Sequence, residues 1–267
     1  MKRAADFRQI AREALQGRWT IAILTGFIAS LLGAGIATSA SSTSSSSELS
    51  TTFQEFQGTE LFIKLQPVFG LALVVFGIWA IVCIVISGAA KLGYASFNLK
   101  LVDRRDVALS DLFSQFNRLG AGFFMNLLLG LYTFLWTLLF VIPGIIKEYS
   151  YAMTPYILAE NPSWTANEAI TESRHLMDGN KWRLFCLEIS FIGWVLLCGL
   201  PGIVGVVVLG SMAIASGNLA TAFLILPCLI PSFLGNLFLR PYREAARAAF
   251  YRELAGNCYV DVENIVG

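Results

Sequence analysis

Residues 121–146 read AGFFMNLLLGLYTFLWTLLFVIPGII, an apolar run without a charged side chain that ends on Pro143-Gly144-Ile145-Ile146. About 20 apolar residues at the rise of an α-helix match the hydrocarbon core of a bilayer, so the run predicts a membrane-crossing helix. Proline lacks the backbone amide and clashes with the preceding turn, while glycine permits left-handed dihedrals, so the pair predicts a turn. The pattern returns further on. Trp136-Thr-Leu-Leu-Phe-Val-Ile-Pro143-Gly144-Ile145-Ile146 aligns with Trp194-Val-Leu-Leu-Cys-Gly-Leu-Pro201-Gly202-Ile203-Val204. Pro143-Gly144 and Pro201-Gly202 thus read as the outer turns of two helical hairpins.

Other apolar runs cover residues 19–38, 68–90, 182–209 and 218–239, and a shorter one covers 145–158. With 56% hydrophobic residues, 14% charged residues and a mean hydropathy of +0.65, the chain is more apolar than a soluble domain, which carries about 45–50%. The basic N-terminus and the run from Trp19 imitate a secretory signal, but a signal core spans about 7–15 residues and this run is long enough to cross, so an uncleaved helix is expected. Charge decides whether 145–158 also crosses. If it does, all but Lys64 and Lys147 of the 19 Lys and Arg residues fall on one side. Without that crossing Arg240, Arg243, Arg247 and Arg252 would be exported, against the positive-inside rule. The reading is an all-α, polytopic membrane helical bundle of about six transmembrane helices in three hairpins, one domain over residues 1–267, with both termini cytoplasmic in a plasma membrane.

Short amphipathic segments precede each hairpin: Phe7–Arg18, Ser110–Gly120 and Thr165–Lys181. Thr165 and Glu168 have the spacing of a capping box, predicting a cytoplasmic helix over 165–179 that stops at Gly179. A further cytoplasmic helix is predicted over 241–255, and the serine-rich segment 39–66 reads as a flexible outer loop. Gly93-Tyr94, Pro155-Tyr156 and Pro241-Tyr242 place tyrosines at the inner ends of the spans, suited to the headgroup level. In the first span, small residues recur every four positions, with Gly26, Ser30, Gly33 and Ala34 as the packing candidates for a close helix neighbour.

Several motifs together resemble one family. They are Gly17-Arg18-Trp19, Asp111-Leu112-Phe113, Leu135-Trp136 leading to Ile142-Pro143-Gly144-Ile145-Ile146-Lys147, and Tyr149-Ser150-Tyr151-Ala152-Met153. Further ones are Pro155-Tyr156-Ile157-Leu158-Ala159-Glu160-Asn161-Pro162, Leu176-Met177-Asp178-Gly179 and Phe191-Ile192-Gly193-Trp194. The chain resembles the bacterial integral membrane family called domain of unknown function 975. The resemblance implies a multi-pass bacterial membrane protein and supplies no catalytic residue, cofactor or substrate. The segment between Gly202 and Pro241 is longer than the family pattern.

Chemistry is sparse. The sole histidine, His175, lies in a polar helix without a metal-ligand partner, and no nucleophile elbow, phosphate loop or dinucleotide fingerprint is present. Cys83, Cys186, Cys198 and Cys228 fall inside apolar runs and read as packing residues. No metal, cofactor or nucleic acid is expected. Ionisable and amide groups within spans are the candidates for function: Glu188, with pairing to Arg183 or Lys181 as the plainer reading, and Asn126 and Asn236, read as helix-joining hydrogen-bonders. The sequence therefore predicts a non-enzymatic accessory, partner-binding or envelope-associated membrane component. Its alternative is a small permease or lipid-handling protein whose proline-glycine breaks open a cavity. The partners expected are a bilayer with an anionic inner leaflet, on which the arginine-bearing helices rest, and a membrane protein or second copy of the chain.

Overall fold

The structure, a computed structural model, describes residues 2–32, 60–212 and 225–266, and these form helices without a strand. In chain order the helices are α1 (Ala4–Leu15), α2 (Trp19–Leu31), α3 (Glu60–Val102), α4 (Ser110–Phe113), α5 (Leu119–Leu139), α6 (Val141–Tyr151), α7 (Thr154–Glu160), α8 (Ala166–Leu176), α9 (Lys181–Val204) and α10 (Ile225–Val266). A 3-10 turn, Phe116–Arg118, leads into α5, and a π-helical turn, Gly205–Leu209, prolongs α9.

The molecule has two unlike ends. At one, α1, the C-terminal half of α3, α7, α8 and the second half of α10 bury Phe7, Leu15, Phe97, Leu101, Leu112, Ile157, Leu158 and Phe250. At the other, the helices expose large apolar side chains, among them Trp79, Leu138, Ile142, Leu197, Val207 and Phe233. Among the described residues three helical stretches are long and apolar enough to cross a membrane: Gly77–Val102, Ser110–Leu139 and Lys181–Met212.

Six separate spans in three hairpins are not what the described residues form. The run 145–158 is broken at Ala152 and Met153 into α6 and α7. α6 has 11 residues, about 16 Å at helical rise, roughly half a bilayer core. α7 is wrapped in protein from Thr154 to Ala159, with Pro155 in its first turn, where a missing amide costs nothing. The run 68–90 belongs to a 43-residue helix that reaches back to Glu60, so the outer loop ends before 66; residues 39–59 lie outside the described segments. Spans 19–38 and 218–239 are described only over 19–32 and 225–239, and the latter continues without interruption into the helix expected at 241–255, through Pro231 and Pro241.

The proline-glycine pairs behave differently from one another and from expectation. The chain turns back at Phe140, whose extended backbone (φ −157°, ψ 139°) separates α5 from α6. Pro143 sits in the first turn of α6, where proline is tolerated because an amide there has no intrahelical partner, and the next amide, that of Gly144, donates to the Phe140 carbonyl at 3.2 Å. Gly144 instead allows the close return, since a Cβ there would stand 2.4 Å from Thr137 Oγ1. Tyr132 and Tyr151 then meet at 6.2 Å between rings, which fixes the two helices as antiparallel.

Pro201 and Gly202 make no turn at all, because α9 runs through them. Proline here only removes one helical hydrogen bond, and the neighbouring helix repairs the local disturbance. The Gly202 amide donates to Ser232 Oγ of α10 at 2.9 Å. Around that bond the two helices interlock small against small: Gly205 receives the Cys228 side chain and Gly235 receives that of Cys198, leaving no room for a Cβ at either glycine.

Candidate functional site

The second half of α10 takes part in most of the ion pairs among the described residues. Its sequence Ala245-Ala246-Arg247-Ala248-Ala249 buries all four alanines, so α10 approaches its neighbours closely while longer side chains reach outward between them. Arg247 forms ion pairs with Glu188 of α9 and, at 3.3 Å, with Glu244 one turn before it. Glu244 also accepts a hydrogen bond from the Tyr156 hydroxyl of α7 at 3.2 Å. Arg252 joins Glu160 at the end of α7 to Asp103 beyond α3, the latter at 2.6 Å, and the Tyr251 hydroxyl donates to Glu160 at 2.7 Å. Glu253 accepts from Arg183 of α9 at 2.7 Å, and the same guanidinium donates to the Lys2 carbonyl at 3.1 Å.

The electrostatics are those of a mutually neutralised cluster. Burial opposes charge on Glu244, but Arg247, Arg243 and Arg240, together with the Tyr156 hydroxyl, prevail and hold its carboxyl below the ordinary 4.5. Burial likewise works against charge on Arg247, and Glu244 and Glu188 more than offset it, so that guanidinium stays charged at any accessible pH. The ion pairs of the cluster tie α7, α9 and the residue beyond α3 to one helix. Among the described residues no group of three or more His, Cys, Asp or Glu is placed to hold a metal ion. His175 is exposed near the end of α8.

The expected polar residues are not brought together. Glu188 belongs to the cluster, but its partner is Arg247 rather than Arg183 or Lys181, because α10 lies alongside α9 and Arg183 is taken by Glu253. Asn126 donates to Ser87 Oγ across α3 and α5 at 3.3 Å. Asn236 is exposed and donates to the Ser232 carbonyl of its own helix at 2.8 Å. In the first span the buried face is Ala22, Thr25, Gly26 and Ala29, with Gly26 against the Tyr94 ring; Ser30 points outward, and Gly33 and Ala34 lie outside the described residues. Tyr94 and Tyr156 are buried in protein.

The amphipathic helices also turn inward. α1 covers Phe250 of α10 with Phe7, at 5.2 Å between rings, and buries Ala11, Ala14 and Leu15. α8 starts at the Thr165 cap, with the Thr165 amide donating to Glu168 at 2.7 Å, and buries Ala166, Ala169, Ile170 and Ser173. Gly17 and Gly179 follow their helices with φ of +73° and +72°. The apolar faces of α1 and α8 thus pack on the protein core.

Glu244, Arg247, Arg252 and Glu253 carry the cluster, and sequence reasoning used the arginines only as counted charges. The alanine pairs flanking Arg247 were the available signal, since small residues on either side of a lone arginine mark a helix face packed against others.

Among the described residues these features define an all-helical architecture with three helices long and apolar enough to cross a membrane and an ion-paired end built on the last helix. The chain belongs to the family described as "Protein of unknown function (DUF975)", whose model matches residues 1–147 and 137–257. No curated protein and no solved structure matches it.

Proposed function

We propose that this protein is a multi-pass component of the plasma membrane without catalytic chemistry of its own, serving as an accessory, partner-binding or envelope-associated element. The observation that carries the reading is the division between the ion-paired end and the end whose helices leave large apolar side chains uncovered. Monomeric soluble proteins do not expose that much contiguous apolar surface, and lipid or a membrane partner would cover it.

Both termini belong on the cytoplasmic side in this reading. Arg183 bridges Lys2 and Glu253, so the first and last helices share one end. The excursion through α5 and α6 also returns to its starting level, since Arg118 before α5 donates to the Leu158 carbonyl at 3.1 Å. That end collects the basic side chains, as the positive-inside rule requires of a cytoplasmic face. An even number of crossings follows. The proline break in α9 is closed by Ser232, which favours packing over an open transport cavity.

Reporters active on one side of the membrane only, fused to each terminus of the full chain, test the arrangement. Both should report the cytoplasm, and an external C-terminus with an internal N-terminus would overturn it. Purification in mild detergent should yield a stoichiometric membrane partner or a second copy of the chain; turnover of a substrate that is lost on Glu188→Gln would replace the accessory reading with an enzymatic one.

A further inference from the structure

An open groove of about 550 Å³ lies between the polar face of α1 and the flanks of α9 and α10. Because α1 turns Phe7, Ala11, Ala14 and Leu15 into the core, Arg8 and Arg12, one turn apart, project on the groove side. Arg8 reaches the Ser190 carbonyl of α9 at 3.5 Å. Arg12 is exposed and has no ion pair among the described residues. Glu13 on the same rim is engaged by Arg104 at 3.3 Å, so the groove stays cationic. Trp194 and Tyr242 line the remaining wall.

Beyond Trp194, Leu196, Leu197 and Leu200 of α9 are exposed, so the basic pair adjoins the apolar surface that the membrane reading assigns to lipid. Guanidinium groups bind phosphate through paired hydrogen bonds, and indole and phenol rings favour the headgroup level of a bilayer. A cationic recess, an aromatic wall and an aliphatic helix face in that order match one ligand along its length: phosphate, glycerol region and acyl chain.

We infer that the groove is a binding site for the headgroup of an anionic phospholipid, with the phosphate between Arg8 and Arg12 and the acyl chains along α9. The inference rests on the membrane reading and goes beyond it, because it specifies one retained lipid where a basic surface would attract many.

Native mass spectrometry of the full chain in detergent, with phosphatidylglycerol, phosphatidylcholine or soluble glycerol 3-phosphate added, tests it. One phosphatidylglycerol should be retained, and Arg8→Gln with Arg12→Gln should weaken retention roughly tenfold. Arg105→Gln with Arg174→Gln removes the same charge elsewhere and should leave retention unchanged. If the first double variant does not fold, Arg12→Gln alone carries the test, since Arg12 makes no ion pair. Equal weakening by both double variants, or equal retention of phosphatidylcholine, would overturn the site. Binding of glycerol 3-phosphate as tight as that of the lipid would make it a soluble-anion site and would also overturn it. Binding in micelles does not depend on which face of a membrane α1 occupies, so its failure is distinct from failure of the terminal reporters.

Discussion

Gly88 of α3 and Gly122 of α5 meet backbone against backbone: a Cβ on Gly88 would stand 2.3 Å from the Gly122 carbonyl carbon. One turn along, Asn126 reaches Ser87, so a close helix crossing and a polar bond between the two helices coincide. Backbone cannot yield as a flexible side chain can. Gly88→Leu should therefore destabilise the protein by about 1–3 kcal/mol or more, seen as a lower melting temperature in detergent. Gly130→Leu, where nothing lies within 4 Å of the added carbon, should melt near the parent. Equal melting of the two variants would remove the crossing from the account.

Arg247 serves two carboxylates and Glu188 only one guanidinium, so their removal should not be equivalent. Arg247→Met takes the ion-pair partner from Glu188 and Glu244 at once and should cost roughly 3 kcal/mol; Glu188→Gln should cost less, because Arg247 keeps Glu244. The double variant should cost less than the two single losses added together. Denaturation of all three against the parent checks the order, and strict additivity would mean that the two side chains do not interact.

Acid should loosen the ion-paired end. Glu244 has its carboxyl held below the unfolded value of 4.5. Its contribution is therefore fully present above that pH and is lost as pH falls through the lower folded value, where the unfolded chain takes up the proton first. Melting temperatures measured downward from pH 7 should fall more steeply below about pH 4.5 for the parent than for Glu244→Gln. Matching acid profiles would show that this carboxylate is not the one stabilised.

Thr165 caps α8 through a reciprocal pair with Glu168, whose amide reaches Thr165 Oγ1 at 3.4 Å. Thr165→Ala should cost about 1 kcal/mol and raise amide hydrogen exchange in the first turn of α8. Exchange unchanged there would mean that core packing alone starts the helix.

The cap at Thr165 and the glycine ends at Gly17 and Gly179 were legible in the sequence because they depend on neighbours along the chain. Long apolar helices were legible because length and hydropathy are additive properties. The turn at Phe140 was not, since proline stops a helix that precedes it yet suits the first turn of the one that follows, and sequence alone does not say which role applies. Pro201 shows the other ambiguity, because only Ser232, far away in the chain, reveals that the helix continues. Glu188 was read against Arg183 and Lys181 of its own helix, whereas its partner, Arg247, lay in a helix whose docking no local pattern encodes. Arg8 and Arg12 were visible as charges, while the wall opposite them depends on α9 and α10 lying alongside α1.

Pro241 is buried in α10 just where exposed apolar side chains give way to the ion-paired half. Having no amide hydrogen, it leaves the Leu237 carbonyl without the usual helical partner, as Pro231 does for its own preceding turn, so the 42-residue rod has a joint on the near side of its ion pairs. On the membrane reading, a bilayer that retilts the outer portion bends the rod at that joint, and the salt bridges beyond it are spared the strain.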